Sequence, residues 1–311
     1  MKRTLILMAA LTALLLLSGC KVGRPPLGIA WITADAESGK TTVWYRSAGY
    51  DDDEELILNE PIELPFGSPT DFLAFTPEGN RLWAWSVHDD GTPGLFSLDF
   101  EGDLPAAETV FRLDLSGYPA AEASSIDIEP EAVGGRVWFD ALDPESGHWQ
   151  IFLLDGDSLT QFTHGNASYE VPTISPDGKL LVFSTNDDGS GEEKEDYDLW
   201  LCDLETSDMV PLITTETDEG SPRFTPDGSL FYVSGGEDGF DLFWTKLKGE
   251  PVSLGDFGGL ELFPRPSPDG RFLLFTAKSD DRWKGHIYNL EEATLTPLVE
   301  DDAEVIFATW Q

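Results

Sequence analysis

Six carboxylates, Asp71, Glu122, Glu170, Glu219, Glu261 and Glu304, each stand just ahead of a short run of strand-forming residues. Brought together, side chains of this type hold a hard cation such as calcium through oxygen ligands, or form an electronegative cradle for a basic peptide. Ser175 and Asp177, with Thr225 and Asp227 and with Ser267 and Asp269, are also types used in catalysis. They recur at a spacing that a tight turn accounts for, so they read as structural. There is no Gly-x-Ser-x-Gly elbow, and His88, His148, His164 and His286 are scattered rather than set at a zinc-binding spacing, so they read as surface or loop histidines. No Asp-x-Asp-x-Asp-Gly calcium loop occurs. No catalytic residue is therefore assigned, no cofactor is required, and calcium at the six acids stays open as a metal.

The elements that must position these acids follow from the turns. Ser175-Pro176-Asp177-Gly178, Thr225-Pro226-Asp227-Gly228 and Ser267-Pro268-Asp269-Gly270 are copies of one turn, and Thr76-Pro77-Glu78-Gly79 is an altered one. Pro presets φ, Asp bonds the nearby backbone, and Gly accepts a positive φ, so each copy joins two antiparallel strands. With the divergent Glu129-Pro130, the turn prolines stand at 77, 130, 176, 226 and 268, the spacing of propeller blades.

The strand after each turn, such as Leu180 to Phe183 or Phe272 to Phe275, is apolar on consecutive positions, so both of its faces are buried. That is the condition of a small sheet sandwiched between neighbours around a ring. Each repeat supplies four strands, as in Asp198 to Leu204 followed by Pro211 to Thr214. The first unit, Leu27 to Leu58, has no turn motif ahead of it, and Glu304 to Trp310 matches the strand it lacks. The expectation is an all-β, six-bladed β-propeller of four-stranded antiparallel blades over residues 27–311, closed by the C-terminal strand. Its innermost strands would bring the six acids to one mouth of the channel, beside the acidic connection Asn186 to Asp196. Asp51 to Glu55 reads as a solvated loop, Lys278 to Gly285 as a loop carrying Trp283, and Trp83, Trp85, Trp138, Trp200 and Trp244 as packing between blades.

The repeated Pro-x-x-Ser/Thr-Pro-Asp-Gly followed by an apolar strand resembles the WD-repeat-like blades of TolB-type six-bladed propellers. It is clearest in blades four, five and six; blade two has Glu78 for the motif Asp, and blade three has Gly134-Gly135 in place of the tight turn. TolB proteins carry an α/β domain ahead of the propeller, so the resemblance is to the propeller and implies a role at the cell envelope only by analogy.

Residues 1–19 read as a signal peptide: Lys2 and Arg3 precede the apolar run Leu5 to Leu17, too short to span a bilayer. Leu17-Ser18-Gly19-Cys20 resembles the lipobox of bacterial lipoproteins, which implies lipid attachment at Cys20 and removal of residues 1–19. Residues 20–26 are then the lipidated cysteine and a short tether, stiffened by Pro25-Pro26. The implied location is exported and lipid-anchored: the outer membrane, on its periplasmic or surface face, in a two-membrane envelope, and otherwise the outer face of the cell membrane. Lys21 after the cysteine resembles outer-membrane lipoproteins. Cys202, the one remaining cysteine, has no partner for a disulfide and reads as a buried small hydrophobe.

With 58 acidic and 19 basic residues the chain carries a net charge of −39. Such a surface repels nucleic acid and anionic headgroups, and favours basic peptides. The expected function is a membrane-anchored, non-enzymatic binding or scaffolding propeller that recognises a protein or peptide, a basic one on charge grounds, at an acidic channel mouth. The alternative is a hydrolase or lactonase-like propeller that uses a divalent cation in the channel.

Overall fold

The turns of blades four, five and six close by the same kind of local bonds. In blade four the Gly178 N–H donates to Ser175 O at 2.8 Å, and Gly178 takes φ +71°. Ser175 Oγ donates to Asp177 Oδ1 at 2.6 Å and accepts the Leu180 N–H at 2.9 Å. Asp227 accepts from Thr225 Oγ1 and the Ser229 N–H, and Asp269 from Ser267 Oγ and the Arg271 N–H, in the same way. The Ser175 hydroxyl holds the Asp177 carboxyl below its ordinary value. These side chains are spent on the turn, the role their spacing indicates.

The computed structural model describes residues 27–35, 37–51, 54–66, 70–76, 79–87, 93–101, 104–114, 128–130, 135–143, 145–156, 158–236, 239–300 and 303–311. The expected signal peptide, Cys20, the tether and Glu122 lie outside these residues, as does the side chain of Asp71.

Six antiparallel sheets follow one another along the chain. Blade two runs from Thr70–Phe75 outward through Arg81–Val87 and Pro93–Glu101 to Leu104–Asp114. Blades three to six repeat that order from innermost strands Ile128–Pro130, Tyr169–Ile174, Asp218–Phe224 and Leu260–Pro266. Blade one is built from both ends: Glu304–Trp310 pairs antiparallel with Leu27–Ala34, which pairs with Thr41–Tyr50. Its outer edge is split into Leu56–Leu58 and Ile62–Glu63. The strand thus fills the innermost place that the sequence leaves empty.

Six apolar clusters, one at each junction between neighbouring blades, show that the ring is closed. Trp83 and Trp85 of blade two pack with Phe139 and Phe152 of blade three, and Val182 and Leu199 of blade four with Leu230 and Tyr232 of blade five. At the closure, Ile29, Trp31 and Trp310 of blade one meet Leu274 and Ile287 of blade six, while Phe307 and Tyr45 meet Leu73 and Leu82 of blade two. Gln311 then ties the closure: its N–H donates to Gly28 O at 2.7 Å, its Nε2 to Gly79 O at 2.8 Å, and its Oε1 accepts from the Tyr45 hydroxyl at 2.5 Å. Gly28 is required here, since a Cβ would lie 2.5 Å from both Gln311 Oε1 and the Tyr45 hydroxyl.

Cys202 is fully buried between blades three and four, and burial pushes its thiol up to about 11, so it is unreactive in the folded chain. Two expectations need correction. Lys278 to Gly285 is not a loop: Asp280 and Asp281 take φ +52° and +62°, the backbone of a two-residue hairpin turn, so the strands run to Ser279 and from Arg282, and Trp283 pairs with Lys278. His286 is not a surface histidine; it lies in the strand Arg282–Asn289 with its ring stacked on Phe275 at 5.3 Å.

Candidate functional site

Each innermost strand begins on the face where the connections between second and third strands emerge, here termed the loop side, and those of blades two, four, five and six end at their motif turns, on the turn side. The acids among the described residues are therefore carried to the loop side, but they do not form one ring of exposed carboxylates. Glu219 and Glu261 occupy equivalent register positions, opposite Ser234 and Ala277 on the next strand. The blade-four position that matches them, opposite Thr185, holds Tyr169. Glu170 is one residue further on, and consecutive strand residues face opposite ways, so Glu170 looks toward blade five while Glu219 looks toward blade four.

Glu219 is completely buried; its Oε1 accepts from Thr215 Oγ1 at 2.5 Å and Ser234 Oγ at 3.0 Å, while Oε2 has no hydrogen-bond partner. Burial raises its carboxyl, opposed by the Thr215 and Ser234 hydroxyls. Glu261 is also completely buried, with the Gly259 N–H at 3.1 Å from Oε1 and Oε2 unbonded. Burial, then the charges of Asp241 and Asp256, push it up to about 7 against the pull of that N–H. Glu170 is partly exposed, raised by burial, and accepts from the Tyr197 hydroxyl at 2.8 Å. Glu304 is partly exposed and accepts the Trp283 N–H at 3.3 Å. Among the described residues no group of three His, Cys, Asp or Glu side chains is placed to hold a metal ion.

The shift at Glu261 has a sign that can be tested. An acid whose folded value lies above its ordinary 4.5 favours the folded state when protonated, and that contribution is lost as pH rises through about 7. Between pH 5 and pH 8 the native chain should lose on the order of 2 to 3 kcal/mol relative to a Glu261→Gln variant, which stays neutral throughout. Urea midpoints of the two chains at both pH values give the comparison, and parallel pH dependences would refute it.

Among the described residues, the loop-side connection with the most exposed acids is the hairpin between the second and third strands of blade four, where Asp188, Glu192, Glu193 and Glu195 face solvent. This hairpin is strapped down. Asp187 Oδ1 accepts the N–H groups of Gly189 and Gly191, and its Oδ2 accepts the Tyr169 hydroxyl at 2.5 Å. The Asn166 N–H donates to Gly191 O at 3.0 Å, which ties the hairpin to the segment entering blade four.

Deeper in the channel lie residues to which the sequence reading gave no role. Phe72 of blade two and Phe263 of blade six stand with ring centroids 5.4 Å apart, and they lie 5.0 and 5.4 Å from Phe307 of blade one. Blade one separates blades two and six, so these rings meet across the channel in front of it. On the other side of the channel, the Arg223 guanidinium donates from Nη1 to Pro172 O and Pro222 O, both at 3.0 Å, with Nε 3.8 Å from Glu129 Oε2. The Arg265 guanidinium lies 4.9 Å over the Phe307 ring. Toward the turn side a cavity of about 330 Å³ is lined from all six blades, including Phe75, Glu129, Ser175, Thr225, Arg265 and Gln311. The arginines carried a signal, since Pro222-Arg223 and Pro264-Arg265 recur at the same offset from their turns. The phenylalanines carried none, because blades two and six become neighbours across the channel only in the closed ring.

Comparison with known proteins supports the architecture. The chain matches no protein-family model. It is 23% identical over 193 residues to the uncharacterized protein Atu1656 of Agrobacterium fabrum (strain C58), across 55% of this chain and 60% of that protein, so it spans less than two thirds of that relative's length. Among solved structures it superposes on TolB from Acinetobacter baumannii with a TM-score of 0.70 at 17% identity, covering 97% of this chain and 71% of that one. A chain of the nidogen/laminin complex gives a TM-score of 0.62 at 10% identity, covering 91% and 98%. The β-propeller domain of the Trilobed protease from Pyrococcus furiosus gives 0.53 at 10% identity, covering 88% and 78%. That domain is described as having an open velcro topology, whereas here Glu304–Trp310 closes the ring. At such identities the likeness is one of fold: the chain is a TolB-like six-bladed propeller, and its function has to be argued from the site.

Proposed function

We propose that this chain is a membrane-anchored, non-enzymatic binding module of the bacterial cell envelope, which recognises a protein or peptide at the loop-side mouth of its channel and requires no cofactor. The observation that carries this reading is the strapped hairpin of blade four, which holds Asp188, Glu192, Glu193 and Glu195 in solvent beside the mouth on a rigid ring. A fixed rim of one charge speeds and orients encounter with a partner of the other charge. Lipid on Cys20 supplies location, and residues 21–26 supply the tether.

The test places a photo-crosslinking residue at Ser190 on the hairpin and, as a control, at Leu295 on the outer strand of blade six, in cells that make the full chain. Crosslinks to a defined partner from position 190 alone are expected. Equal yields from both positions, or none from position 190, would remove the loop side as the binding face. In the same cells a Cys20→Ser variant should leave the membrane fraction, and its retention there would refute the lipid anchor.

A further inference from the structure

The aromatic cluster in the channel suggests what the mouth receives, and this step rests on the reading just given. Phe72 and Phe263 reach across the channel and meet edge to face, yet both remain partly exposed. Phe75 and Arg265, further along the same two strands, line the turn-side cavity, so Phe72 and Phe263 stand between that cavity and the loop-side mouth. Phe263 occupies the bulge of its strand, at φ +55° with Pro264 after it, the position that Val171 and Ser221 hold in blades four and five. The result is an aromatic floor part-way down the channel.

The carboxylates stand above this floor. Strands run from loop side to turn side, so Glu261 precedes Phe263 by two residues and Glu304 precedes Phe307 by three, with the hairpin acids beyond them. A cation drawn into the mouth therefore descends through negative charge onto the faces of phenyl rings, whose quadrupole attracts it. The cluster already does this on its other side, where the Arg265 guanidinium lies 4.9 Å over Phe307. Among the described residues no cation stands over Phe72 or Phe263. A bare divalent ion fits poorly, because it needs several oxygen ligands and a ring face offers none. A weakly hydrated organic cation on an apolar stem fits both the floor and the depth.

We propose that the loop-side mouth is a receptor for a basic side chain of the partner, an arginine or lysine whose guanidinium or ammonium group seats on Phe72 and Phe263 inside the carboxylate rim. The solvent-facing charge of the rim comes from Glu304 and the hairpin acids, while Glu219 and Glu261 are buried and make no contact with it.

The test uses the detergent-solubilised full chain and two capped pentapeptides, Gly-Ala-Arg-Ala-Gly and the same peptide with citrulline, which keeps the shape of arginine and removes its charge. Calorimetric titration at fixed ionic strength should show saturable binding of the arginine peptide, at least tenfold tighter than citrulline. Phe72→Leu and Phe263→Leu keep apolar volume while removing a ring, and each should weaken the arginine peptide roughly five- to thirtyfold. Equal binding of the two peptides, no binding of either, or unchanged affinity in both variants would overturn the proposal; the peptide comparison uses the native chain and does not depend on how the variants fold. If the photo-crosslink from position 190 persists in a Phe72→Leu, Phe263→Leu chain while the arginine peptide proves indifferent to charge, the loop side survives as the binding face and only the cation receptor fails.

Discussion

Replacing Trp310 with alanine should lower stability by about 3 to 5 kcal/mol, the range for removing a large buried aromatic side chain. Trp310 is 5% exposed and packs among Leu27, Ile29 and Trp31 of its own blade and Phe272 and Leu274 of blade six. Its Nε1 donates to Arg265 O at 3.0 Å, so the substitution opens a cavity and also leaves a buried carbonyl without that donor. Its strand is the one that closes the ring, so the damage falls on the contact between the two ends of the propeller. In a chain of this size the melting temperature should fall by on the order of 10 °C. Amide exchange should rise first in Leu27–Ala34 and Glu304–Trp310. Trp283→Ala, at a partly exposed hairpin position, is the control and should cost under about 1 kcal/mol. Similar losses for the two variants would show that closure contributes no more than ordinary burial.

The second large effect is expected at Arg223. It is 3% exposed, carries the carbonyls of Pro172 and Pro222 on one nitrogen, and stands beside Glu129 of blade three. Glu129 also accepts from Thr173 Oγ1 at 3.0 Å, and Thr173 Oγ1 in turn accepts the Phe224 N–H at 3.3 Å, so three blades share one polar network. Arg223→Met keeps much of the apolar stem but strips two carbonyls and one carboxylate of a partner. Breaking a buried ion pair from one side costs about 3 to 5 kcal/mol, mostly for the charge left behind. Adding Glu129→Gln should therefore recover part of the loss, a coupling that urea unfolding of the two single variants and the double variant measures. Additive losses would mean that Arg223 acts through its carbonyl bonds alone.

How much of this was open to reading from the chain depends on the range of the forces involved. Blade number, blade order and the vacancy in blade one follow from local chemistry: the turn residues bond within six positions of one another, and an apolar run on consecutive residues requires cover on both faces. Those signals survive in a linear string. The orientation of the acids does not. A bulge in each of the innermost strands of blades four, five and six, with Val171, Ser221 and Phe263 at positive φ, shifts the register, and a shift of one residue turns a side chain to the opposite face. Glu170 and Glu219 look alike in sequence, yet one is partly exposed and the other completely buried. The aromatic floor lies further out of reach, because Phe72 and Phe263 are separated by most of the chain and by an intervening blade. By itself the sequence determined the ring and the face to which the acids are carried. Which carboxylates meet solvent was decided by those bulges and by the packing of neighbouring blades, and what lies beneath them by closure, since contacts across the channel exist only once the two ends of the chain are paired.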